Sequence, residues 1–388
     1  MGLFLTSICL LSLATFHLGA ASPVDGERQG TKKLVCYYTN WSSSRSGNSA
    51  FFPSDIDASL CTHIIYSFSI LDATSLEMVV QDTETDINQG FYEQVTSLKS
   101  QGVKVLIAIG GWNDSEGDKY SRMVTNPASR ANFVTKAVEF IRRYNFDGLD
   151  LDWEYPSCPQ GACGDTPASD KQNFANLLRE LRTAFLPHGF LLSAAVSASS
   201  SIAARAYDIP TLNSQLDWIG LMTYDMHGGW DGVTGHNSPF RGASPNTVDT
   251  ITYWLQNGAT AAKLVVGVPL YGRSFTLSNP NNNGVGAPAS NGAPGEYTGE
   301  AGFLAYFELC MNLAPFTHVP QVGPYGFRGT QWASFDNTQI IGDKTGFIMQ
   351  QGLAGAMVWA IDLDDFNGGF CGAGEYPLLK ALKAGLGI

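Results

Sequence analysis

Runs of Val, Ile, Leu and aromatic residues with strand-like spacing recur along the chain at 34–39, 63–69, 104–109, 147–154, 191–197, 218–224, 263–270 and 355–361. Stretches with helical spacing lie between most of them, at 91–101, 129–144, 171–186 and 248–257, and one more follows at 378–384. Helices alternating with eight strands predict an α/β fold, a closed (β/α)8 TIM barrel. The gap between the seventh and eighth runs is far longer than the others. From about residue 273 to 335 it is rich in Gly, Pro and Asn (NPNNNGVGAPASNGAPG), then carries short aromatic strands and a helical patch near 303–311. This predicts a subdomain inserted between strand 7 and helix 7, with the barrel itself at 33–272 and 336–388. A chain of 388 residues is long for one domain, but α/β barrels commonly exceed about 250 residues as one unit.

The fourth run contains DGLDLDWE, which sets carboxylates at Asp147, Asp150, Asp152 and Glu154 among mostly apolar neighbours. On a strand, Asp150, Asp152 and Glu154 share one face, while Leu149, Leu151 and Trp153 share the other. Three acids lined up on a buried surface repel one another and lose hydration. At least one pKa rises, which is how a general acid keeps its proton near neutrality. A solvated strand edge would not need the apolar reverse face. A Ca²⁺ loop would need Gly at its sixth position and Glu at its twelfth, and both are missing.

The composition, 44% hydrophobic and 15% charged, allows a large core. A net charge of -12 disfavours nucleic acid and anionic membranes as partners and suits a neutral or cationic substrate. Residues 3–21 are apolar and end in Gly19-Ala20-Ala21. This reads as a signal peptide over 1–21, leaving 22–388 as a soluble, secreted, extracellular protein. A membrane anchor is the rival, but the run is short and interrupted by His17. Beyond Cys9 in this segment, Cys36, Cys61, Cys158, Cys163, Cys310 and Cys371 remain, an even number that suits three disulfides in an exported chain. Cys158 and Cys163 bracket a short Pro/Gly loop and are expected to pair locally, and Cys310 is expected to tie the insertion to Cys371. Zinc spacings such as CxxC are absent, so neither metal nor cofactor is expected.

Barrel enzymes place their sites at the C-terminal ends of the strands. Those ends carry Tyr38 and Trp41, Phe68, Gly111-Trp112-Asn113, Asp152 and Glu154, Met222, Tyr224 and Asp225, Tyr271 and Arg273, and Met357, Trp359 and Asp362. Flat rings suit the apolar faces of sugars, while carboxylates and Asn take their hydroxyl or amide groups.

Taken together, DGLDLDWEYP, IGGW at 109–112, MTYD at 222–225, PLYGRSF at 269–275 and GAMVWAIDLDDF at 355–366 resemble the family 18 glycoside hydrolases of the animal secreted chitinase type. The resemblance covers nearly the whole chain and implies that the insertion is an α+β subdomain deepening the cleft. It further implies hydrolysis of chitin and N-acetylglucosamine oligosaccharides by a monomer, with the substrate supplying the nucleophile. In that scheme Glu154 protonates the glycosidic oxygen, Asp152 holds the 2-acetamido group, Asp150 modulates Asp152, and Asp147 supports the strand end. Tyr224 bonds the acetamido oxygen, Met222 and Asp225 line the same subsite, Trp359 forms its floor, and Trp41 and Trp112 are platforms along the cleft. The family's carbohydrate-binding tail is not seen, so weak action on crystalline chitin is expected. The sequons at Asn40 and Asn113 lie beside cleft residues and are expected to stay unglycosylated. A chitin-binding lectin on the same barrel is the alternative, and retention of Glu154, Asp152 and Tyr224 favours catalysis over it.

Overall fold

In the computed structural model the strands among the described residues form two sheets. The first part of the chain supplies β1 (Lys33–Thr39), β2 (His63–Leu71), β3 (Met78–Val80), β4 (Lys104–Gly110), β5 (Gly148–Asp152), β6 (Leu191–Ser197), β7 (Trp218–Met222) and β8 (Leu264–Pro269). After these come β9 (Tyr271–Leu277), β10 (Ala289–Asn291), β11 (Phe303–Ala305), β12 (Thr317–Val319), β13 (Gly323–Arg328), β14 (Gln331–Ser334) and β15 (Gly355–Trp359). The structure describes residues 1–2, 32–164, 166–313 and 316–388. The predicted leader, apart from its first two residues, lies outside them.

β1, β15, β8, β7, β6, β5, β4 and β2 pair side by side in parallel, and β1 also pairs with β2, so the sheet closes into a barrel of eight strands. The predicted TIM barrel is therefore correct. Its strands are buried along almost their whole length, as β1 shows from Leu34 to Thr39. That is the pattern of a parallel sheet covered on both faces, with side chains filling the inside and helices packed outside. The short β3, antiparallel on β2, was not anticipated.

The outer helices start where local chemistry favours it. Asn126 accepts from the N–H of Ala128 and Pro127 takes the first position of the helix Pro127–Arg143. The expected helices at 91–101, 129–144, 171–186, 248–257 and 378–384 appear as Phe91–Ser97 with a 3₁₀ extension, Pro127–Arg143, Asp170–Phe185, Thr247–Gln256 and Pro377–Leu386. Two short helices after β6, Ser200–Ala206 and Ile209–Gln215, escaped the pattern because neither is long enough to establish a period. None of the helices among the described residues is long and apolar enough to cross a membrane.

The second sheet joins β10, β9, β14, β13 and β12, with β11 on β9. It occupies the long gap between β8 and the helix Thr338–Gln350. The sheet begins at Tyr271 rather than 273, because β9 leaves the barrel directly from β8. Its own small core holds Phe275, Leu277, Ala287, Ala289 and Trp332. The helical patch expected at 303–311 is in fact strand β11 followed by the helix Tyr306–Asn312. All three disulfides form: Cys36–Cys61, Cys158–Cys163 and Cys310–Cys371.

Candidate active site

β5 ends at Asp152, two residues earlier than expected, so Asp150 and Asp152 lie on the strand and Glu154 just beyond it. Leu149, Leu151 and Trp153 are buried on the opposite side, as strand alternation requires. Asp150 is fully enclosed. Its two oxygens accept from Tyr37 Oη at 2.8 Å and Ser193 Oγ at 2.6 Å. Burial pushes its pKa up to about 6 against the pull of those two hydroxyls. Asp152 is 3% exposed and its Oδ1 has no hydrogen-bond partner among the described residues. Burial first, then the charges of Glu154 and Asp150, hold its carboxyl well above the usual range.

Glu154 reaches the cleft surface half-buried. Burial raises its pKa to about 7, the Tyr155 hydroxyl works against this, and the charge of Asp225 adds to it. The backbone around it is fixed from β4. Gly111 N donates to Asp152 O at 2.8 Å, and Glu154 N donates to Ser115 Oγ at 2.8 Å. Gly110 adopts φ +118°, and a Cβ there would sit 2.2 Å from Asp152 O, so only glycine allows the approach.

Aromatic rings floor the cleft beside these acids. Phe68 stacks on Trp359 with centroids 5.7 Å apart and on Trp41 at 6.1 Å. Trp359 also meets Tyr37 at 5.5 Å. Trp41 and Trp112 are 44% and 50% exposed, which leaves their faces open to a ligand. Asn113 is exposed beside Trp112 and Met222 is buried at the end of β7.

The opposite wall combines the loop after β7 with the inserted sheet. Gly267 leaves the space where a Cβ would meet Tyr224 Cε1 at 2.9 Å. Burial, then Asp152, Asp225, Glu154 and Asp150, hold the Tyr224 hydroxyl in its protonated form. Asp225 accepts from Tyr271 Oη at 2.7 Å and Arg273 Nε at 2.6 Å through one oxygen. Trp230, 62% exposed, has the Arg273 guanidinium 5.4 Å from its ring centre and adds an open aromatic face that the sequence reading missed.

Three expected site residues fall elsewhere. Tyr38 is fully buried on the outer face of β1 against Phe51 and Tyr66. Alternation gives the inner position to its neighbour Tyr37, and a hydroxyl in reach of the β5 acids was available one residue earlier. Met357 is fully buried inside the barrel, its Sδ in the space left by Gly220. Asp147 lies at the other end of β5, where it accepts from Val105 N at 2.9 Å and faces Lys99 and Lys104 at 3.8 Å. It secures β5 to β4 far from the cleft. Ser193, the only polar residue inside the apolar run of β6 before its end, was a legible signal left unused. Asn40 is buried and donates through Nδ2 to Asp86 at 2.8 Å, so the nitrogen that would carry a glycan is engaged inside the protein.

A barrel with stacked acids at one strand end and an aromatic groove beside them is the arrangement expected of a glycoside hydrolase. The chain matches the family model described as Glycosyl hydrolases family 18 over residues 33–364. It is 46% identical to Probable chitinase 10 of Drosophila melanogaster over 93% of this chain, and it spans 16% of that protein's length. Chitotriosidase-1 of Mus musculus is 41% identical, with 92% of this chain and 78% of that protein covered. The solved catalytic domain 2 of the Ostrinia furnacalis Group II chitinase superposes with a TM-score of 0.90 at 47% identity, covering 92% of this chain and 96% of that one. A mutant of that domain was solved in complex with penta-N-acetylchitooctaose, (NAG)5. The chain belongs to glycosyl hydrolase family 18.

Proposed function

We propose that this chain is a chitinase that hydrolyses β-1,4 linkages between N-acetylglucosamine units, acting as a secreted monomer through a substrate-assisted, retaining reaction. The observation that carries the proposal is the stack of Asp150, Asp152 and Glu154 under an aromatic groove, with Glu154 raised to about 7 by burial and by Asp225. Glu154 gives its proton to the glycosidic oxygen as the bond to the anomeric carbon breaks. The carbonyl oxygen of the substrate's own 2-acetamido group attacks that carbon and forms an oxazolinium ion. Asp152, whose Oδ1 has no partner in the protein, accepts the acetamido N–H and offsets the positive charge. Tyr224 donates to the acetamido oxygen and aligns it. Water then opens the ring as Glu154 takes back a proton, so the anomeric configuration is retained.

One protein acid is enough for this route because the nucleophile comes from the sugar, and the remaining carboxylates serve orientation and charge. Chitin oligomers named with the Ostrinia structure support the same substrate class here. The test is release of chromophore from a chromogenic chitobioside by the intact chain. Absence of turnover across the acidic to neutral range, with chitin oligomers still bound, would replace the enzyme by a lectin on the same barrel.

A further inference from the structure

Asn237 is fully buried, and all of its polar groups are spent on the wall of the cleft. Its Oδ1 accepts from Asp225 N at 2.9 Å, and its Nδ2 donates to Tyr271 O at 3.2 Å. Its backbone N–H donates to Ser334 Oγ at 2.7 Å, and its carbonyl accepts from Met226 N at 3.0 Å. Oxygen toward an N–H and nitrogen toward a carbonyl fixes the orientation of the amide. One residue therefore joins the loop after β7 to the insertion, its side chain reaching β9 and its backbone N–H reaching β14. The residue it grips is unusual, since Asp225 has φ +56°. A non-glycine residue stays in the left-handed region only where its surroundings hold it there.

We propose that Asn237 is a positioning residue, fixing Asp225 in its left-handed conformation and thereby keeping the Asp225 carboxylate at its place on the cleft wall against Tyr271 and Arg273. The inference rests on the chitinase reading. Asp225 is also faced by Arg273, Tyr271, Tyr224 and Glu300, and Glu154 by Asp152, Tyr155, Tyr207 and Tyr224. Arg273 and Tyr271 hold the Asp225 oxygen, but only Asn237 Oδ1 holds its backbone amide. Freed from Asn237, the loop relaxes to a right-handed or extended backbone, which turns the Cα–Cβ bond of Asp225 and draws its carboxylate off its bonds with Tyr271 and Arg273 and away from Glu154. Glu154 then loses a nearby negative charge and gives up its proton at lower pH.

The experiment is the pH–rate profile of Asn237→Ala on the chromogenic chitobioside, with the same substitution repeated in an Asp225→Asn background. The basic limb of kcat moves to lower pH and kcat falls roughly ten- to hundredfold, whereas in the Asp225→Asn background the limb moves no further. A basic limb that coincides with the parent's, or one that shifts equally without the Asp225 charge, overturns the proposal. If Asn237→Ala does not fold, Ser334→Ala removes the hydroxyl that receives the Asn237 N–H. It moves the limb the same way by less, and an unmoved limb again overturns the proposal. A parent chain with no hydrolysis fails the chitinase reading, while an active parent with an unmoved limb fails this inference alone.

Discussion

Two runs of acids follow two strands of the same barrel, and their fates differ. At the end of β5 stand Asp150, Asp152 and Glu154, and after β15 come Asp362, Asp364 and Asp365, the latter three all fully buried. Burial raises Glu154 and Asp364 alike, each to about 7, so a displaced pKa does not distinguish them. Hydrogen bonding does. Asp362 meets Arg45 at 2.7 Å and Thr39 at 3.0 Å. Asp364 accepts the N–H groups of Leu378 and Leu379 at the start of the last helix, and Asp365 accepts from Cys371 N at 2.7 Å. Asp152 keeps an oxygen without a partner, and Glu154 stands half open to the groove. A buried acid whose bonds are filled by its own protein, as those of Asp150 also are, is a fastener, and one left short, like Asp152, is equipped to act on something else.

Breaking each run should give opposite signatures. Glu154→Gln removes the donated proton but little shape, so kcat falls about 10³-fold while calorimetry with a chitin oligomer finds affinity nearly unchanged. An equal loss of binding would contradict the assigned role. Asp364→Ala strands two buried N–H groups at a helix start and costs about 3 kcal/mol of stability, read as a lower thermal midpoint with kcat/KM preserved. Loss of activity in a fully folded Asp364→Ala protein would erase the contrast between the runs.

The pH dependence sharpens the comparison. Glu154 must be protonated to act, so kcat falls as pH rises through about 7. For stability the sign follows from the same raised values. Asp150, Glu154 and Asp364 keep protons in the folded chain that the unfolded chain releases. Their contribution is therefore fully present below the ordinary carboxylate range and is lost as pH rises through about 6 to 7. Thermal midpoints should decline over that interval, and a steady rise would contradict the assignment. The smallest effect belongs to Asp147→Asn, at the far end of β5. It loosens a partly exposed contact worth about 0.5–1 kcal/mol and leaves kcat/KM at the parent value.

How far the sequence could be read depended on whether a feature is periodic. Barrel strands and the Asp150–Asp152 face repeat along the chain, so alternation revealed them. Asp147 belongs to the same octet, yet a strand has two ends and the motif does not say which acids reach the cleft. Tyr37 and Tyr38 are adjacent, and only the register of β1 on its neighbours decides which ring turns inward. Trp230 lies in a single 3₁₀ turn, Gly229–Asp231, and Asn237 in an irregular loop, where nothing periodic marks a position. The run 362–365 was visible as a motif, but its division into an ion pair and two backbone anchors depends on residues as distant as Arg45 and Leu379.

The disulfide between Cys310 and Cys371 closes over a sequence separation of 61, and Phe307 stacks on Phe370 beside it at 4.8 Å. The wall of the groove is thus attached where β9 leaves β8, where the chain returns after β14, and again by a covalent strut to the loop after β15. The first two attachments are neighbours, since Ser334 pairs with Arg273, so the disulfide is the second separate anchor and opposes a swing of the wall about that root. Reducing that bond would leave the wall held only at its root, where β9 and β14 meet the barrel.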